Sequence, residues 1–211
     1  AVPGGSPTKS EGLPLTPLGF HLAHMPVDAR TGKMLIYGAL CRCLAPVLTI
    51  AACLSHKSPF VRTFNKAKEE QQQWECQGHF GQLYSDHLAV VKAYEMYQAA
   101  KRSGHRGAVH FLCDKFGLSS SALDSIEQLR GQFLRHLVDI GFSEAQCADG
   151  GDVVNAHAQD LSLVRCVLCA GLFPNVVQVQ RHGTARGPRV ALVAKDGKLC
   201  AAHPSSQNSR Q

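Results

Sequence analysis

The sequence predicts a mainly α protein, a helical bundle followed by a partial β domain. Through most of the first 173 positions apolar residues recur at spacings of three and four, the period of a helix with one covered face. After Pro174 the pattern shortens to VVQVQ (176–180), RVALVA (189–194) and KLCAAH (198–203), which are β-type runs. Asp196-Gly197, between the second and third runs, is a hairpin signal. With 211 residues, 45% hydrophobic and 18% charged, the chain can build a real core in one or two domains, which excludes disorder as a description of the whole.

Residues 1–12 (AVPGGSPTKSEG) read as a disordered lead without the apolar stretch of a signal peptide. Thr16 then caps a helix that starts on Pro17, with Leu18, Leu22 and Met25 inward and Pro26 as the stop. A second helical stretch is expected from Lys33 to Leu44, and Pro46 restarts a third (PVLTIAACL) that is apolar on every side and therefore central. Asn65 to Glu75 is charged and Gln-rich, a solvated helix or loop. Ser85 caps a helix running to about Ser103. The clearest helix begins at Ser121, with Asp124 completing a capping box, and carries the stripe Leu123, Ile126, Leu129, Phe133, Leu137 and Ile140. A polar loop is expected over 143–160, then a last apolar helix from Leu161 to Phe173, capped by Asp160 and closed by Pro174. Three strands are too few to bury a sheet, so the β domain is expected to be incomplete within these residues.

Charge is uneven. Residues 1–164 carry 15 Lys or Arg against 15 Asp or Glu, whereas residues 165–211 carry seven against Asp196 alone, so the whole net charge of +6 lies in the last fifth. Such asymmetry suggests an end that faces a polyanion. Nine cysteines are too sparse for a disulfide scaffold and fit free thiols in a reducing compartment. No apolar run approaches the ~18 residues that cross a bilayer, so a soluble protein without a membrane partner is expected.

Motifs for nucleotide chemistry are absent. Gly32-Lys33 is followed by Met34 and has Val27 where a phosphate loop needs its first glycine, and neither G-x-G-x-x-G nor G-x-S-x-G occurs, so no catalytic residue is assigned. Cys166-x-x-Cys169 with His182 imitates part of a zinc finger, but the next histidine, His203, is too far away; buried thiols and no metal are expected. RHGTARGPR (181–189) offers Arg181, Arg186 and Arg189 in what reads as a Gly/Pro-containing loop between strands, either a phosphate grip or an ordinary solvated hairpin. Lys101, Arg102, His105 and Arg106 end a helix and answer its dipole.

Six strings occur in order: LTPLGFHLAHMPVDARTGKML (15–35), CLAPVLTIAACLSHKSPF (43–60), SDHLAVVKAY (85–94), LRGQFLRHL (129–137), CAGLFPNVVQV (169–179) and HPSSQN (203–208). Together they resemble the C-terminal region of DEAH/RHA-type ATP-dependent RNA helicases, with the RHA-like branch nearer than the splicing branch. The departures are Ala45, where the family usually has an acid, and Gln207, where it usually has Val. The resemblance implies the end of a winged helix and a linker helix over 13–45, a helical ratchet (helicase-associated) domain over 46–142, an acidic loop over 143–160, and the last helix and first strands of a truncated OB-fold over 161–211.

It also implies an accessory segment that holds single-stranded RNA while RecA-like domains outside the chain use ATP and magnesium to move 3′ to 5′. Ser55, Lys57, Arg62, Arg130, Arg181, Arg186 and Arg189 are the candidate RNA-binding residues. Implied partners are single-stranded RNA, the protein's own RecA-like domains and a protein activator at the OB-fold, in the cytoplasm or nucleus. The alternative is a protein-interaction module that docks an acidic activator or scaffold.

Overall fold

The computed structural model describes residues 14–142, 152–184, 187–204, 206, 208 and 209, with main chain alone at 152, 182–184 and 187–189. The expected disordered lead, residues 143–151 of the loop expected over 143–160, and Arg186 lie outside the described residues.

Helix α1 (Pro17–Ala23) starts as the sequence predicts, with Thr16 Oγ1 accepting from Gly19 N–H at 3.1 Å. In α2 (Ala29–Leu40) Asp28 is the cap, accepting from the N–H groups of Arg30 and Thr31. The helix therefore begins and ends about four residues earlier than the expected 33–44. The chain turns at Arg42, whose φ is +57°, and His157 N–H donates to the Arg42 carbonyl at 2.8 Å. A turn fixed by a residue so distant leaves no local signal.

α3 (Leu44–Ser55) is the central helix that its composition predicts: Leu44, Val47, Leu48, Ile50, Ala51 and Ala52 are all 1% exposed or less. Around it pack α2, α5 (Asp86–Arg102), α7 (Ser120–Asp139) and α9 (Leu161–Leu172). Ser85 caps α5 and Asp160 caps α9, both as expected. α4 (Lys66–Phe80), capped by Asn65, is a helix that buries only Cys76 and Phe80. The short α6 (Ala108–Phe116), bounded by left-handed Gly107 and Gly117, has no counterpart in the sequence-based reading.

Helix α7 differs from its expected pattern in two ways. Ser119, not Ser121, is the cap, accepting from Ala122 N–H, while Asp124 takes the Tyr97 hydroxyl at 2.7 Å. The fully buried row is Leu123, Ile126, Arg130, Phe133 and Leu137, with Leu129 only half-buried beside it. An arginine thus occupies the slot that hydrophobicity alone gives to leucine.

The expected loop over 143–160 contains a helical turn, α8 (Asp152–Asn155), whose Asn155 Oδ1 accepts from Ala45 N–H at 2.7 Å. Val164, Val167 and Leu168 are the buried face of α9. At Gly171 an added Cβ would stand 2.7 Å from Met34 Cβ, so this glycine permits the close crossing of α9 on α2. Cys166 and Cys169 point the other way and are exposed, which overturns the expected buried thiols. Composition makes the helix apolar, but only one of its faces is covered.

The β part is one antiparallel sheet of order β1-β2-β3: β1 (Val177–Thr184), β2 (Gly187–Ala194) and β3 (Leu199–Cys200). Asp196 and Gly197 form the turn between β2 and β3, with Gly197 at φ +80°. The expected loop over 181–189 is instead mostly strand, because the ladder continues to the Thr184 and Gly187 pair. Pro188 is tolerated there since β3 reaches only Leu192 and Val193, leaving β2 an open edge where a missing N–H breaks no bond. Val177, Val179, Val190 and Leu199 stay about half exposed or more. The overall class, mainly α with a small terminal sheet, is the one expected.

Candidate nucleic-acid interface

The surface that concentrates candidate residues follows the central helix. From His56 to Lys68 the sequence carries Lys57, Arg62, Lys66 and Lys68 and no Asp or Glu. Ser55 ends α3, and Ser55, Lys57, Arg62, Lys66 and Lys68 are all exposed. Three of the sequence-predicted residues, Ser55, Lys57 and Arg62, thereby lie on one stretch. Phe64, Lys66 and Lys68 belong to the same surface and were missed by sequence reasoning, although the acid-free run with an aromatic residue inside it was the available signal.

The stretch is pinned at its middle. Val61 N–H donates to Gly117 O at 2.8 Å and Ser119 N–H to Pro59 O at 2.9 Å, so Phe60 and Leu118 form an antiparallel bridge. The Phe60 ring meets Phe80 edge-on with centroids 5.7 Å apart. Gly117 cannot be replaced cheaply: its φ is +61°, and an added Cβ would approach the Gln72 side chain to 2.9 Å and Val61 O to 3.1 Å. Further along, Asn65 Oδ1 accepts from Lys68 N–H and starts α4. Residues 62–64 thus bow outward between two fixed points.

Two of the four cations are engaged. Lys68 is bonded to Asp114, and that hydrogen bond and charge hold the Asp114 carboxyl below the usual carboxylate range. Arg62 Nε lies 3.8 Å from Glu69 Oε1 with the arginine side chain 61% exposed, a weak surface pair. Neither Lys57 nor Lys66 has an ion-pair partner among the described residues. Beside Arg62 opens a groove of about 620 Å³, lined among others by Phe60, Gln72, Gln77, His203 and Ser206. Among its described lining residues Arg62 is the only Lys or Arg and stands beside the acids Glu69 and Asp86, so the groove is less positive than the outer stretch.

The remaining candidates stand elsewhere. Arg130 is 5% exposed, its guanidinium lies 4.8 Å from the Tyr94 ring centroid, and it donates to Ala45 O and Thr49 Oγ1; burial removes it from any exposed RNA-facing set. Arg181 is exposed on β1 and pairs with Val190, while the Arg189 main chain pairs with His182, one step out of register with Arg181. Lys101 holds Asp124 and Glu127, a structural role. Among the described residues no group of three or more His, Cys, Asp or Glu is placed to hold a metal ion, and no helix is long and apolar enough to cross a membrane.

Residues 28–90 match the model of the helicase-associated, ratchet-like domain. The chain is 43% identical over 197 residues to the DExH-box ATP-dependent RNA helicase DExH1 of Arabidopsis thaliana, an alignment covering 93% of this chain and 18% of that protein. It is 38% identical over 198 residues to the human ATP-dependent DNA/RNA helicase DHX36, covering 93% and 19%. With the DExH-box ATP-dependent RNA helicase DExH3 of Arabidopsis thaliana it shares 39% over 165 residues, covering 78% and 13%. The chain spans less than a fifth of the length of these curated relatives. Residues 28–90 thus match the helicase-associated, ratchet-like domain, and over most of its length the chain is similar to a C-terminal segment of DEAH-type RNA helicases.

Proposed function

We propose that the chain is the strand-holding accessory part of an ATP-dependent DEAH/RHA-type RNA helicase, gripping single-stranded RNA without sequence preference during 3′ to 5′ movement. In this reading 13–45 is the end of a winged helix with its linker helix, 46–142 the ratchet, and 161–211 the last helix and opening strands of an OB-fold. The observation that carries it is the exposed, acid-free stretch from His56 to Lys68, with Lys57 and Lys66 uncommitted. A grip that must slide over any sequence needs charges directed at phosphates, not groups that read base edges. The names of the relatives, RNA helicases and a DNA/RNA helicase, support the same ligand.

ATP and magnesium do not fit the residues present: the sequence has no phosphate loop, and no described cluster suits a metal. They belong to RecA-like domains of the longer protein, against which this segment works. The 211 residues alone should therefore turn over no ATP. The eight described cysteines are all free, which supports an intracellular site, cytoplasm or nucleus. A protein-docking role has one observation in its favour, the exposed Val177, Val179 and Val190 of the sheet, and would place an activator or scaffold there.

The test is single-stranded RNA binding by the full-length protein with Lys57, Arg62 and Lys66 replaced together by Ala. Affinity should fall for unrelated sequences alike, and the slope of log K against log salt should become shallower by about two units, at roughly 0.7 per phosphate contact. Unchanged affinity and slope would reject the reading.

A further inference from the structure

We infer that Phe64 is a stacking platform for an unpaired base of the held strand, an inference that rests on the RNA-holding reading above and names a residue within it. The Phe64 side chain is 107% exposed, so nothing in the described structure covers it. Phenylalanine is ordinarily among the more buried residues, which makes a ring displayed this fully a feature to be accounted for. The display is built. Three residues before Phe64, at Val61, the chain leaves the Phe60 and Leu118 bridge, and immediately after it Asn65 caps α4, so the ring stands on backbone fixed at both sides.

Its surroundings select the partner. Arg62 and Lys66 flank the ring two positions away on either side, Lys57 lies before it in the sequence, and the stretch has no acid. A protein-docking patch would be contiguous and apolar, whereas this ring is flanked in sequence by the cations Arg62 and Lys66, with the acid Glu69 held on Arg62. Single-stranded nucleic acid answers both features at once, with a base for the ring and phosphates for its flanks. Every base has a flat face, so stacking adds grip without adding sequence preference.

The experiment uses the full-length protein and a short unstructured RNA containing one 2-aminopurine, a fluorescent base quenched on stacking. Phe64→Ala is expected to weaken binding about 5- to 100-fold and to abolish quenching in the complex, with the salt slope unchanged. Phe64→Trp should retain both affinity and quenching. The paired Lys57→Ala/Lys66→Ala variant should do the reverse of Phe64→Ala, making the slope shallower while the saturated complex stays quenched. If Phe64→Ala binds and quenches as wild type while the lysine variant loses affinity, the stacking role falls and RNA holding stands. If neither variant changes binding, both fall. A lowered melting temperature in Phe64→Ala would show that the ring packs against another part of the protein, and would overturn the proposal in favour of an internal interface.

Discussion

Arg130 on α7 reaches the main-chain carbonyl of Ala45 at the start of α3, 85 positions away in sequence, at 2.5 Å. The same guanidinium nitrogen donates to Thr49 Oγ1, also at 2.5 Å, while Asn155 receives the Ala45 N–H. Both polar groups of one peptide residue are thereby met by side chains from outside its helix, and the first turn of the central helix is clamped between α7 and α8.

Arg130→Ala is expected to destabilise the protein by about 3 kcal/mol, since it strips buried acceptors of charge-assisted bonds and opens space beside Tyr94. Arg130→Lys should recover only part of this, because an ammonium cannot reproduce the flat guanidinium over a ring. Urea titration followed by circular dichroism measures both. RNA affinity per folded molecule should be unaffected, which separates this buried role from the surface role suggested by sequence.

Arg130 also marks where sequence reasoning stops. Helix periodicity located α1, α5 and α7, each with one apolar stripe, and α9 was located by its apolar run between Asp160 and Pro174. It chose Leu129 over Arg130 because a charged residue is expected outside unless something distant receives it, and Ala45 is too remote to be seen. The turn at Arg42 was hidden for the same reason. α6 is a short helix bounded by glycines, with too few turns to display a period. The exposure of Cys166 and Cys169 depends on which face of α9 has a neighbour, a fact absent from α9 itself. Of the interface, Ser55, Lys57 and Arg62 became candidates through the helicase resemblance, as charge and hydroxyl donors for a held strand, whereas the outward bow at Phe64 depends on the pairing of Pro59 and Val61 with Gly117 and Ser119.

The corrected stripe makes a sharper test of the bundle. Ile126 is 0% exposed and Leu129 half-buried, so Ile126→Asp should leave no cooperative melting transition, as an unpaired buried carboxylate costs several kcal/mol. Leu129→Asp should melt cooperatively at a lower temperature, because its carboxylate can reach water. Equal effects in calorimetry would contradict this placement of α7.

Burial pushes the thiols of Cys43, Cys53 and Cys76 up to about 11 from an ordinary 9.0. Between those values the unfolded chain releases protons that the folded chain keeps, so stability should decline as pH climbs from about 9 to about 11. The Tyr97 phenol, raised by burial and by its bond to Asp124, acts in the same direction. Urea midpoints across that range should fall, and less steeply in Cys53→Ala. At neutral pH a thiol reagent should label Cys166, Cys169 and Cys200 first, being exposed.

Replacing Arg181, Arg186 and Arg189 together by Ala should weaken RNA binding in the full-length protein and, if all three meet phosphate, make the salt slope shallower by about two units. Arg181→Ala alone should account for about 0.7 of that. A triple variant that binds like wild type would leave the sheet to protein partners.

The crossing at Gly171 has a mechanical meaning. The close approach to Met34 lies in the last turn of α9, just before the chain leaves for β1. A side chain there would prise the two helices apart, so the contact works as a bearing with no slack. Tension applied to the sheet passes through that bearing into α2, and from α2 into the central helix against which it packs. The crossing thus ties the last helix to α2 where the chain sets out for the sheet, and α2 in turn packs on the central helix.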